Sequence, residues 1–127
     1  MRQTNYTVGD FLITIKNAAL ANKKTVEVKE SKMTKAVAEA LLKLGFLSSV
    51  EPKDGLLFVS LAYKKKAPIL SDIKLVSKPS LRVYWDLKKL KEYRSPAVLL
   101  LSTSKGILSS KEALKEGLGG EVIAEVL

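Results

Sequence analysis

Residues 97–127 read AVLLLSTSKGILSSKEALKEGLGGEVIAEVL, and this stretch decides the predicted fold. Ala97 to Thr103 is apolar without alternation, which predicts a central strand buried on both faces. Ser102-Thr103-Ser104-Lys105-Gly106 then predicts a loop, and Glu121 to Val126 predicts a closing strand. This part of the chain should therefore build a sheet whose strands are joined through a hydroxyl-rich loop.

The segment between those strands carries the signals of a short helix. Ser109-Ser110-Lys111-Glu112 has the pattern of a capping box, in which the first serine and the glutamate satisfy each other's backbone N–H groups. Gly117 is placed to end the helix in a left-handed conformation. Gly119 and Gly120 predict a flexible corner before the last strand.

Working outward, the amino-terminal half predicts two amphipathic helices. Thr7 is placed as the first N-cap, and apolar residues follow at helical spacing: Val8, Phe11, Leu12 and Ile15. Ser31 is placed as the second N-cap and Gly45 as the stop. The second helix has a predicted apolar stripe made of Met33, Val37, Leu41, Leu42 and Leu44.

Three strands complete this half. Thr25 to Val28 is short and β-prone, while Phe46 to Val50 and Leu56 to Tyr63 flank a turn at Asp54-Gly55, which is a strong hairpin signal. The predicted order is α-β-α-β-β.

The charged, proline-containing break at residues 64–68 marks the predicted domain boundary. Beyond it, the segments around residues 69–76 and 81–84 predict strands, and residues 87–93 predict a short helical or irregular connection. We therefore expect an α+β fold of two small packed domains, residues 1–63 and residues 64–127, the second mainly β with one short helix and the nucleic-acid contact.

Composition excludes several function classes. The chain has 127 residues, 46% of them hydrophobic and 28% charged, as in a globular protein. Histidine and cysteine are absent, which excludes disulfides, zinc fingers and triads built on a Ser-His or Cys-His pair. The start of the chain lacks a signal-peptide core, and the longest apolar run is too short to span a bilayer. We expect a soluble cytoplasmic protein.

The net charge of +9 predicts a polyanionic partner, either nucleic acid or an anionic membrane. The charge is unevenly distributed, because residues 1–94 hold 19 basic and 9 acidic side chains and residues 95–127 hold 3 and 4. The hydroxyl loop therefore lies in a nearly neutral segment. Such a loop would contact nucleic acid by hydrogen bonds and close backbone approach.

Each candidate contact has an ordinary structural alternative. The loop from Ser102 to Gly106 offers donors and acceptors for a shallow RNA minor groove, or it is a plain serine-rich turn. Tyr84, which follows Arg82 on a predicted strand, can stack on an unpaired base or pack in the core. Glu121 is interpreted as a brace that accepts hydrogen bonds from the loop.

Asn17 lies near the predicted end of the first helix. Ser31 and Lys32 lie at the predicted start of the second, where free backbone N–H groups can hold phosphate. For Ser31 the alternative is a simple N-cap, and the two roles are compatible.

These same residues carry a resemblance. The Ser102–Gly106 motif, its spacing to Gly117-Leu118-Gly119-Gly120-Glu121, and the segment from Leu75 to Tyr84 resemble the bacterial small-subunit ribosomal protein eight family. The resemblance extends in order over essentially the whole chain, including Asp10 to Asn17 and Ser31-Lys32.

The resemblance implies a structural protein that binds the central domain of small-subunit ribosomal RNA directly and helps organise the platform. It implies that Ser102, Thr103, Ser104, Lys105 and Gly106 lie in the minor groove, with Tyr84 at the same contact. Glu121, Gly119 and Gly120 would brace the loop, and Asn17, Ser31 and Lys32 would touch backbone. It also implies ribosomal proteins five and twelve as neighbours, and an alternative role as repressor of the protein's own operon messenger RNA.

The chain departs from the family pattern at four places. Thr14 and Lys16 stand where the first helix usually carries two arginines, and Lys29-Glu30 where a proline is common. Ser80 follows the turn proline instead of glycine, and Ser95-Pro96-Ala97 replaces a glycine-rich approach to the central strand. Weaker phosphate contacts are expected at the first helix.

An enzyme is the competing class. A hydrolase using Ser102 or Ser104 would need a base, and without histidine the base would have to be a buried Lys105. We therefore expect no enzyme activity, no metal, no cofactor and no small-molecule substrate.

Overall fold

A computed structural model describes residues 7–127, and the first six residues, where the absence of a signal-peptide core was noted, lie outside the described residues. The described chain divides into two compact units, Thr7–Asp72 and Ile73–Leu127. The division therefore follows Asp72, whereas the sequence prediction placed it between residues 63 and 64. The difference arises because the charged break at residues 64–68 is itself a hairpin of the first unit.

The first unit contains two helices and five strands among the described residues. Its elements are α1 (Thr7–Leu20), β1 (Thr25–Lys29), α2 (Lys32–Leu44), β2 (Leu47–Lys53), β3 (Leu56–Leu61), β4 (Tyr63–Lys64) and β5 (Ala67–Pro68). Strands β1, β3 and β2 form an antiparallel sheet in that order, and β4 pairs with β5. The predicted α-β-α-β-β order is confirmed.

Helix α2 begins and ends as predicted. The Ser31 side chain accepts a hydrogen bond from the Thr34 N–H at 3.1 Å, and Gly45 ends the helix at φ +92°. The predicted apolar stripe is partly wrong, because Met33 is 41% exposed. The buried face instead follows the spacing of Thr34, Val37, Ala38 and Leu41. Thr34 can be buried there because its hydroxyl accepts a hydrogen bond from Ser31 Oγ at 2.8 Å.

The second unit contains β6 (Ile73–Leu75), β7 (Tyr84–Trp85), α3 (Leu87–Glu92), β8 (Val98–Thr103), β9 (Gly106–Ser109), α4 (Ser110–Glu116) and β10 (Gly120–Val126). Its sheet runs β6-β10-β8-β9, and β7 also pairs with β10. All these pairs are antiparallel, and β10 has a register shift between Val122 and Ala124. Strand β10 is the last in the sequence, but it lies inside the sheet between β6 and β8.

One core cluster of the second unit lies between the sheet and its helices. It contains Leu90 of α3, Ala113 of α4, and Leu99, Leu101 and Val122 of the sheet. Three consecutive residues of β8, Leu99 to Leu101, are buried, which confirms the predicted strand covered on both faces. The capping box at Ser109 and the left-handed Gly117 at φ +70° are also confirmed.

Three details of the second unit differ from the prediction. It has two short helices within residues 73–127, because residues 87–92 form α3 with an Asp86 N-cap. The hydroxyl segment is a tight hairpin that leads into β9. The strand predicted at residues 81–84 is only Tyr84–Trp85, because the backbone N–H and C=O groups of Leu81 bond Lys78 across a turn.

Candidate nucleic-acid interface

The side chains of Tyr84, Glu121, Ser102 and Ile107 form a row across one face of the second sheet. Strand register places Tyr84 opposite Glu121, Glu121 opposite Ser102, and Ser102 opposite Ile107. Directly paired residues of antiparallel strands project to the same face, and their sequence neighbours project to the other. Leu101 and Val122 accordingly face the core cluster, while the row lies on the opposite face.

The predicted hydroxyl loop is the two-residue turn between β8 and β9. Thr103 Oγ1 donates a hydrogen bond to the Gly106 carbonyl at 2.8 Å and accepts one from the Lys105 N–H at 3.1 Å. The Thr103 hydroxyl is thereby used to close the turn. Ser104 is exposed at the tip and Ser102 is half-buried, so these two hydroxyls are the ones presented outward.

Lys105 is exposed but carries a partner within the unit. Its Nζ lies 2.7 Å from Glu116 Oε1 of α4, and both side chains are largely exposed to water. An exposed pair of this kind contributes less than about 1 kcal/mol, so a phosphate oxygen can replace the carboxylate as the partner of Lys105. The sequence reasoning missed this pair, since nothing local places Glu116 beside the turn.

Glu121 was predicted to accept hydrogen bonds from the hydroxyl loop, but its carboxylate instead accepts one from Arg82. Its carboxylate is 16% exposed and accepts a hydrogen bond from Arg82 Nη1 at 3.0 Å. Its contact with the hydroxyl segment is the strand pairing with Ser102. The ion pair fixes Arg82 on the approach to Tyr84, so Glu121 positions a cation as well as a strand.

Gly119 and Gly120 allow close packing of backbone segments. A Cβ atom on Gly120 would collide with the Ser102 carbonyl oxygen, and one on Gly119 would lie 2.5 Å from the Trp85 carbonyl oxygen. Neither glycine has the positive φ that would favour glycine on conformational grounds. The predicted flexible corner is therefore a site of close approach, where the missing side chain lets β10 pair with its neighbours.

The sequence left open whether Tyr84 stacks on a base or packs in the core. The structure shows that Tyr84 is exposed, while its neighbour Trp85 packs against the core. Tyr84 is 69% exposed, whereas Trp85 is half-buried and packs against the core cluster. The Trp85 and Tyr93 rings lie 5.7 Å apart between centroids. Tyr84 thus presents an exposed aromatic ring at one end of the row.

Sequence reasoning missed Ser77, a buried serine that holds the row together. Its Oγ donates to the Val122 carbonyl at 2.7 Å and accepts from the Val83 N–H at 2.9 Å. These bonds fix the segment before Tyr84 against β10. The available signal was a serine directly before the Lys78-Pro79 turn.

The three remaining candidates lie in the first unit. Asn17 and Lys32 are exposed, on α1 and at the first position of α2, and Ser31 is the half-buried cap already described. The two positions that replace arginines are engaged within this unit. Thr14 Oγ1 donates to the Asp10 carbonyl at 2.8 Å, and Lys16 Nζ lies 3.1 Å from Asp72 Oδ1.

Across residues 7–127, no cluster of three or more acidic, histidine or cysteine side chains is arranged to hold a metal ion. Over the same residues, no helix combines the length and the apolar character needed to cross a membrane.

Comparison with known proteins gives consistent similarities over nearly the whole length. The family model described as ribosomal protein S8 matches residues 6–127. The small ribosomal subunit protein uS8 of Caldanaerobacter subterraneus subsp. tengcongensis is 46% identical over 125 residues, covering 94% of this chain and 95% of the relative. The protein of the same name from Thermosynechococcus vestitus is 40% identical over 129 residues, covering 96% and 97%.

Proposed function

The chain belongs to the ribosomal protein S8 family, and from this premise we propose that it binds small-subunit ribosomal RNA through the row and the hydroxyl turn. As a family member it is a ribosomal protein of the small subunit, with a part in translation and a structural role. The finer proposal is that it contacts the central domain of the RNA and helps to organise the platform. The exposed hydroxyl turn beside Tyr84 is the observation that carries it.

The geometry suits an RNA minor groove. That groove is wide and shallow and displays 2′-hydroxyls and base edges, which a small hydroxyl side chain can reach. Ser104 and Ser102 supply donors and acceptors. Gly106, the first residue of β9, adds no side chain next to the turn and has a φ of +103°. The exposed ring of Tyr84 supplies a surface on which an unpaired base can stack.

Contacts to phosphate groups would add to these contacts with bases and 2′-hydroxyls. Lys105 lies at the turn, and the Arg82 guanidinium is held beside Tyr84 by Glu121. In the first unit, Lys32 and the N-terminal backbone groups of α2 can hold a phosphate, and Asn17 can bond a phosphate or sugar oxygen. The partner that these contacts support is ribosomal RNA. The family resemblance adds neighbouring small-subunit proteins, including proteins five and twelve, as proposed partners and the ribosome as the proposed location.

A titration with two RNAs tests this function. Filter binding with a central-domain fragment of small-subunit RNA should give a much lower Kd than an unrelated duplex of the same length. Chemical footprinting on the full small-subunit RNA should show protection confined to the central domain. Equal affinity for both RNAs, or protection spread over unrelated helices, would overturn the proposal.

A further inference from the structure

A groove in the second unit begins at Tyr84 and lies along the start of β10. Its lining includes Tyr84, Trp85, Lys89, Gly119 and Gly120. The glycines give a floor without side chains, and the contacts described above show that none would fit there. The positions where their side chains would be are filled by the backbone of residues 85, 86 and 102, so closely packed backbone forms this part of the groove wall.

Lys89 places a positive charge in the groove. Its Nζ lies 4.9 Å from the centroid of the Trp85 ring, a cation–π arrangement that holds an otherwise flexible side chain. The ammonium group keeps hydrogen-bond donors for a ligand, since an aromatic ring occupies only one side of it. Asp86 also lines the groove, where its Oδ1 accepts the Lys89 N–H at 2.9 Å as the cap of α3.

The helix that carries Lys89 is basic overall, with three lysines and one glutamate. Lys88, Lys91 and Arg94 are exposed on α3 and just after it, with Glu92 as the acidic residue among them. The Arg94 guanidinium donates to the Lys91 carbonyl at 2.7 Å, which fixes it at the end of the helix. The charge favours a polyanion over an apolar ligand or a protein segment.

We propose that this groove binds the sugar–phosphate backbone of the RNA strand that leaves the hydroxyl turn, with Lys89 contacting a phosphate. The inference rests on the proposed function, because Tyr84 belongs to both surfaces. It adds a residue and an element, α3, that the sequence analysis interpreted only as a connection.

Salt-dependent binding of the full chain to the central-domain fragment tests the groove. Lys89→Gln should weaken binding several-fold and reduce the slope of log K against log salt by roughly 0.7–0.9, the value for one lost phosphate contact. Lys89→Arg should keep a slope near that of the wild type. Lys74→Gln is the matched control, since Lys74 is exposed and lies near the other end of β10, paired with Glu125.

Trp85 provides a second readout, because it is the only tryptophan in the chain. Occupation of the groove should change its emission when the RNA fragment is added, and Lys89→Gln should reduce that change. Unchanged emission together with equal slopes for Lys89→Gln and Lys74→Gln would overturn the groove assignment while the preference for the fragment persists. A wild-type protein without that preference would overturn the proposed function, and this inference with it.

Discussion

At the scale of single residues, two neighbouring hydroxyls of the turn have different roles. Thr103 closes the turn with two hydrogen bonds inside the protein, whereas Ser104 projects from the tip. Loss of the Thr103 hydroxyl would thus affect folding and binding together. Ser104 is the residue at which binding can be tested separately.

Replacing Ser104 with alanine should weaken binding to the central-domain fragment by about 1 kcal/mol, or roughly fivefold, since one hydrogen bond is lost. The melting temperature should stay the same, because the side chain is exposed. Filter binding and thermal unfolding measure the two effects. Ser71→Ala, at an exposed serine of the first unit, is the control, and equal affinities for the two variants would contradict the minor-groove assignment.

Gly119→Ala should destabilise the fold by about 3 kcal/mol, because the new methyl group meets the Trp85 carbonyl oxygen and the Asp86 backbone. Gly117→Ala should cost only about 1 kcal/mol, since Gly117 has open space and a positive φ. Urea unfolding gives both free energies. If the two variants are equally stable, close approach is not the reason for Gly119.

Residue-scale prediction from sequence works where the partner is local. The Ser31 and Ser109 caps follow from residues three positions apart, and both are present. The pairs Lys105–Glu116 and Arg82–Glu121 were missed because they join residues brought together by strand pairing and helix packing. Local spacing contains no information about such partners.

At the scale of elements, the first unit contains two β-hairpin turns with left-handed backbone. Asp54 and Gly55 have φ values of +52° and +79°, and Lys65 and Lys66 have +51° and +68°. The Asp-Gly turn was predicted, because that pair favours this geometry. The β4–β5 hairpin was missed because lysines are rare at positive φ, and three consecutive lysines indicated a charged break.

Lys66→Gly should therefore stabilise the protein by about 0.5 kcal/mol, since glycine removes the steric penalty of the left-handed conformation. Lys64→Gly, one residue before the turn on β4, should instead destabilise it by a similar amount, because glycine weakens a strand. Chemical denaturation of the two variants measures the contrast. A loss of stability in both would show that Lys66 is unstrained.

The first turn of α2 allows the structural and binding roles of Ser31 to be separated. Ser31→Ala should lower the free energy of unfolding by about 1 kcal/mol, through loss of the bond to the Thr34 N–H. Ser31→Asp should retain most of the stability, because aspartate is also a good cap.

For affinity towards RNA, the order of the Ser31→Ala and Ser31→Asp variants should be the reverse of their order in stability. The added negative charge of Ser31→Asp should repel a phosphate at this helix end, so its affinity should fall below that of Ser31→Ala. Binding titrations of the two variants check this, and an aspartate variant that binds as well as the wild type would place the phosphate elsewhere.

At the scale of the whole molecule, the net charge of +9 acts in opposite directions on the free protein and on the complex. Raising salt from about 50 to about 200 mM should increase the melting temperature of the free protein, since screening weakens self-repulsion. The same change should weaken RNA binding by roughly 40-fold if three phosphates are contacted. A melting temperature that falls with salt would contradict the repulsion argument.

The α+β class and the order of the larger elements followed from apolar spacing, caps and the Asp-Gly turn, all of which are local. The position of the division between units did not, because β4 and β5 pair with each other and keep residues 64–68 in the first unit. Likewise, the departure at Ser80 could not be interpreted from sequence. Its φ lies outside the left-handed region, so the turn accepts serine.

The placement of β10 has a consequence for synthesis. Because this segment bridges β6, β7 and β8, a growing polypeptide that stops before Gly120 lacks the partner that aligns Tyr84 with Ser102. Such a truncated chain keeps every lysine but lacks the row that we propose as the RNA-binding surface. Under the proposed function, truncated products should therefore not compete with the full chain for the RNA.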